Sequence, residues 1–160
     1  MMGTQAIQPE RILCRVEARS KKHALEVLSA LLAAGSTARS APEIFAGLTE
    51  RERLGSTSLG NGAAVPHSKD EGVGEPITAL ITLATPVDFD TSDEQAIDVV
   101  AGMLLPNGGV SSELGAVAEA LRQPDCLMQL RRARSPEAVC EILAARLQNI
   151  ATSTAVAERG

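Results

Sequence analysis

The sequence predicts a single α/β domain, a sheet covered by helices on both faces. Three observations carry that prediction. Cys14, Val16 and Ala18 alternate with Arg15 and Glu17, the period of a half-buried strand. Residues Ile97 to Leu105 are apolar almost without a break, as in a strand covered on both sides. Before and after that run, apolar residues recur at helical spacing.

Taken in order, the first strand gives way to Ser20, which caps a helix over Lys21 to Ala34. Ala24, Leu25, Leu28, Leu31 and Leu32 form its apolar stripe, Gly35 ends it, and His23 falls off the stripe on the solvated side. Ser40 followed by Glu43 is a capping-box pattern, so a second helix is expected from Pro42 to Leu54, closed by Gly55. A loop with short strands follows, then a strand over Ile77 to Leu83. Pro86 and the acidic stretch Asp88 to Glu94 separate it from the central strand.

Pro106, Asn107, Gly108 and Gly109 turn the chain into a helical stripe of Leu114, Val117, Ala118 and Leu121. Pro124 opens a short helix with Leu127 and Leu130, and Ser135 with Pro136 starts another carrying Val139, Ile142 and Leu143. Residues from Ala151 onward read as a frayed tail. There is no internal repeat and no sign of a second domain in the 160 residues.

Composition narrows the function. Two phenylalanines and no tryptophan or tyrosine leave no aromatic platform for stacking bases or sugars. A net charge of −5 without basic runs argues against nucleic acid and anionic membranes. No apolar run reaches the roughly 20 residues of a bilayer span, and the N-terminus lacks a basic segment followed by an apolar one. The expectation is a soluble cytoplasmic protein. Cys14, Cys126 and Cys140 lack metal-site or disulfide spacing and read as buried free thiols, and one isolated histidine gives no zinc ligand set.

The stretch "LGNGAAVPHSKD" carries the chemistry. Gly60 and Gly62 flank Asn61 and allow positive φ, Pro66 restrains the backbone, and His67 follows. Neutral imidazole is a nucleophile, and one ring nitrogen attacks while a hydrogen bond fixes the other. Phosphoryl transfer needs little beyond alignment and charge neutralisation, for which Arg51, Thr57 and Ser68 are candidates. Because glycine-rich loops are common, spacing alone favours a plain structural corner shaped by these glycines and the proline. Arg51 and Arg53 likewise suit either the negative end of the helix dipole or an anion held by the next loop. Asp88, Asp90 and Asp93 read as a solvated loop without catalytic role.

"ERERLGSTSLGNGAAVPHSK" resembles the active-site segment of enzyme IIA domains of the fructose and mannitol type in the bacterial phosphotransferase system. "SKKHALEVLSALL", "LGSTSLGNG" and "TPVDFDTSDEQAIDVVAGMLLP" point to its nitrogen-regulatory branch. The similarity covers about residues 10–148, with 149–160 as a flexible tail. It implies a mixed sheet of about five strands with helices on both sides. His67 matches the phosphoacceptor, and Arg51 matches the arginine that contacts the phosphoryl group.

Two departures stand out. Ser68 replaces the usual glycine, and the second histidine expected at the start of the helix after Asn107-Gly108-Gly109 is missing, with Val110 to Ser112 in its region. Loss of a proton partner predicts slow onward transfer, which favours a sensor over a sugar carrier. The resemblance thus implies a regulatory phosphocarrier that needs no cofactor or metal, takes phosphate from an HPr-like protein and acts on partner proteins. The alternatives are a sugar-transport component feeding a IIB domain and a binding module indifferent to phosphorylation.

Overall fold

The computed structural model describes residues 7–35, 37–90, 95–106 and 111–159. The strands are β1 (Ile7–Val16), β2 (Ser58–Gly60), β3 (Ala63–Ala64), β4 (His67–Lys69), β5 (Ile77–Val87) and β6 (Ile97–Leu105). The helices are α1 (Lys21–Ala33), α2 (Ala41–Leu54), α3 (Ser112–Leu121), α4 (Pro124–Arg132) and α5 (Pro136–Arg159).

One mixed sheet runs β1-β5-β6-β3-β2, with β4 also paired to β6. β1 lies parallel to β5, β5 antiparallel to β6, and β3 and β4 parallel to β6. Six strands therefore fill five positions. β3 and β4 share one lane, since Ala63 pairs with Val99 and His67 with Met103 at the same sequence separation. Pro66 has no N–H with which to continue the ladder, but its carbonyl accepts from Met103 N at 3.1 Å. The lane is interrupted as a ladder while remaining continuous as an extended chain.

The burial of β6 follows from its place between β5 and that lane. Val99, Ala101, Met103 and Leu105 face a core completed by α3, α4 and α5. Val100 and Leu104 face a second core under α1 and α2. Gly102 lets α1 settle onto the sheet, because a Cβ there would collide with the Leu28 side chain. Ser20 caps α1, and the Ser40–Glu43 capping box starts α2.

Three elements differ from expectation: β1 begins at Ile7 and ends at Val16, ahead of Ala18, and two others run longer than expected. β5 continues through Pro86 to Val87, because its pairing with β6 is irregular between Thr82 and Val87 and asks no N–H of the proline. α5 remains helical through Arg159, where the sequence reads as a tail beyond residue 148; an alanine-rich stretch without glycine or proline gives the backbone no reason to stop. Asp88 and Asp90 are exposed, as expected of a solvated loop; Asp93 lies outside the described residues.

Candidate active site

His67 opens β4 and is half-buried. Side chains alternate along a strand, so it shares the α3–α5 side of the sheet with Val65, while Ser68 turns to the α1–α2 side. The imidazole Nδ1 stands 2.8 Å from the carbonyl oxygen of Val65. A carbonyl only accepts, so this bond places the ring proton on Nδ1 and leaves the Nε2 lone pair available in the neutral ring. Val65 N donates to the carbonyl of Thr57 at 3.1 Å. Both sides of the Val65 residue are thereby held.

The glycines shape a turn, the plainer of the two readings their composition allowed. Gly60, Asn61 and Gly62 have φ of 89°, 55° and 88° and form the turn from β2 to β3. From Gly62 to His67 the chain is extended, which at about 3.3 Å per residue sets the turn roughly 16 Å from the histidine backbone. The Gly62 carbonyl accepts from Asp98 N and Val99 N, and the Asn61 carbonyl from Arg131 Nη2. Arg131 in turn grips both oxygens of Asp98, at 3.0 and 2.9 Å from Nε. The turn shapes the hairpin and stands away from the imidazole.

The other candidates separate in the same way. Arg51, in the last turn of α2, donates from Nη1 to the Gly55 carbonyl at 2.9 Å, capping its own helix with one of the five donors of its guanidinium. Arg53 pairs with Glu50 on the exposed side. The Thr57 hydroxyl donates to the buried Glu52 carboxylate. Ser68 Oγ rests against α2, 2.5 Å from where a Cβ on Gly47 would stand. The strand alternation that exposes His67 on one face sends its neighbour to the other.

At the start of α3, where the second histidine is missing, Ser111 Oγ accepts from Glu113 N and Leu114 N and also donates to Glu113 Oε2 at 2.8 Å. Residues 107–110 lie outside the described residues. Two buried acids carry no local motif. Buried Asp70 accepts from Thr37 Oγ1 at 2.7 Å and Gly72 N at 2.9 Å and pairs with Arg39 at 3.5 Å. Glu52 joins Lys21 and Thr57. Both depend on long-range contacts that sequence spacing does not signal. Among the described residues, no group of three His, Cys, Asp or Glu is placed to hold a metal.

An α/β domain holds the His67 imidazole in the lane shared by β3 and β4, and among the described residues nothing is bonded to its Nε2. The family described as "Phosphoenolpyruvate-dependent sugar phosphotransferase system, EIIA 2" matches residues 5–146, and the chain belongs to it. It is 37% identical over 142 residues to the "Nitrogen regulatory protein" of Pseudomonas aeruginosa, covering 87% of this chain and 92% of that one. Its identity to the protein of the same name from Bradyrhizobium diazoefficiens is 35% over 144 residues, covering 88% and 94%. The crystal structure of nitrogen regulatory protein IIA-Ntr from Neisseria meningitidis superposes with a TM-score of 0.80 at 29% identity, covering 88% of this chain and 97% of that one. No helix among the described residues is long and apolar enough to cross a membrane.

Proposed function

We propose that this protein is a regulatory phosphocarrier of the cytoplasm that accepts a phosphoryl group on His67 from an HPr-like carrier. The observation that supports this reading is the Nδ1 bond to Val65, which leaves Nε2 as the nucleophile. In the transfer, the Nε2 lone pair forms the new N–P bond as the bond from phosphorus to the donor breaks. The Nδ1 proton stays in place. The ring gains positive charge as Nε2 bonds phosphorus, and the Val65 carbonyl dipole faces that charge. Arg51, by its match to the family arginine, releases Gly55 or shares its fork to meet the phosphoryl oxygens. No cofactor enters the step.

The added negative charge then changes which partner proteins bind the surface around His67. The relatives called nitrogen regulatory proteins support regulation over sugar transport. Incubation with phosphoenolpyruvate and the first two carriers, followed by mapping of acid-labile phosphate, tests the reading. Phosphate on His67 and none on His67→Ala is the expected result; an unlabelled wild type overturns it. Rapid transfer onward to a purified IIB domain would instead indicate a sugar carrier. Unchanged partner binding by His67→Ala would indicate a phosphorylation-independent module.

A further inference from the structure

Glu52 follows Arg51 in the last turn of α2 and points inward, with its side chain 4% exposed. A carboxylate so deeply placed is costly unless its oxygens are satisfied. Lys21 Nζ reaches Oε2 at 3.4 Å, and the Thr57 hydroxyl donates to Oε1. Lys21 is anchored in turn: Nζ donates to the Phe89 carbonyl at 3.4 Å and sits 5.4 Å from the centre of its ring. From Thr57 the bonds continue through its main chain, which receives Val65 N at 3.1 Å, to the Val65 carbonyl that receives His67 Nδ1 at 2.8 Å. One unbroken run of bonded groups leads from the start of α1 to the imidazole.

We propose that Glu52 and Thr57 are positioning residues for His67: the buried carboxylate fixes Thr57, Thr57 fixes the Val65 backbone, and the Val65 carbonyl holds the proton on Nδ1. The proposal rests on the phosphocarrier reading for its consequence, since neither residue touches the phosphoryl group. Val65 precedes a proline and is already biased to an extended backbone. That bias leaves the tilt of its carbonyl open. The bond from Val65 N to Thr57 removes the remaining freedom, and the Glu52 contact keeps Thr57 from turning away.

The chain has two histidines, and exposed His23 serves as an internal standard for ring nitrogen resonances. In 15N-labelled protein at a pH where both rings are neutral, Thr57→Val is expected to raise the Nε2–H fraction of His67 at least threefold. The same variant should slow phosphorylation about tenfold, with Thr57→Ser restoring both to within twofold of wild type. Glu52→Gln, which keeps a neutral acceptor of the same size, should fall between them and replaces Thr57→Val if that variant does not fold. A tautomer ratio and rate within twofold of wild type in these variants overturn the proposal, even if melting temperature falls. If wild type takes no phosphate, the phosphocarrier reading fails, while the tautomer ratio still decides whether Glu52 and Thr57 position the ring.

Discussion

Ser68 and Gly47 face each other across the contact between β4 and α2: a Cβ added to Gly47 would lie 2.5 Å from Ser68 Oγ and 3.4 Å from its Cβ. Helix propensity alone favours Gly47→Ala by about 1 kcal/mol. Here Ser68 opposes that gain, so the two positions are coupled. Gly47→Ala should stabilise the Ser68→Gly protein by about 1 kcal/mol and the wild type by clearly less. Urea unfolding of the four proteins in the cycle checks it.

The bond from His67 Nδ1 to Val65 makes a prediction about the product. Phosphate should be attached to Nε2, with the Nδ1 proton retained. Nitrogen–phosphorus coupling in 15N-histidine-labelled, phosphorylated protein distinguishes the two positions. Coupling at Nδ1 would contradict the nucleophile assignment.

Gly62 combines a φ of +88° with a crowded side, since a Cβ would stand 2.6 Å from Arg131 Nη2. Gly62→Ala should cost about 2–3 kcal/mol through backbone strain and displacement of Arg131 from the turn. Gly55→Ala is the control, having open space around it and an extended backbone. A comparable loss in both would refute the explanation.

Thr78 is fully buried in β5, and its hydroxyl has no hydrogen-bond partner among the described residues. Replacing an unsatisfied buried hydroxyl by a methyl of the same shape removes a desolvation cost. Thr78→Val should therefore raise stability by about 1 kcal/mol, read as a higher denaturant midpoint at unchanged slope.

Burial pushes the thiols of Cys14, Cys126 and Cys140 above the ordinary cysteine range. The folded protein therefore holds thiol protons that the unfolded chain releases. Their stabilising contribution is complete below the ordinary thiol pKa of about 8.5 and declines as pH rises past it. Iodoacetamide at neutral pH should modify the native protein much more slowly than the urea-unfolded chain, with Cys126 the slowest of the three.

Much of this architecture was legible because its signals are local. Ser20, the Ser40–Glu43 pair and Ser135 mark helix starts by their hydrogen bonds, and Pro124 marks one by its fixed φ and missing N–H. The run from Ile97 to Leu105 announces a strand buried on both faces. The motif around His67 pointed to the family whose model matches residues 5–146. What spacing could not convey is direction. Ser68 is adjacent to the histidine in sequence and opposite to it in space, and the glycines that suggest an anion cradle sit at the far end of an extended lane. Nothing local announces that buried Glu52, beside Lys21, takes the hydroxyl of Thr57.

The shared lane of β3 and β4 makes the identity of the reactive group a matter of alignment between strands. A slip of one residue against β6 would swing His67 in against α2 and bring the hydroxyl of Ser68 to the opposite face, exchanging an imidazole for an alcohol there without changing a single atom of the sequence. Arg131, clamped to Asp98 at the entrance of β6 while gripping the Asn61 carbonyl at the far tip of the hairpin, works against that slip. A residue remote from the imidazole thus helps to decide which chemistry the surface displays.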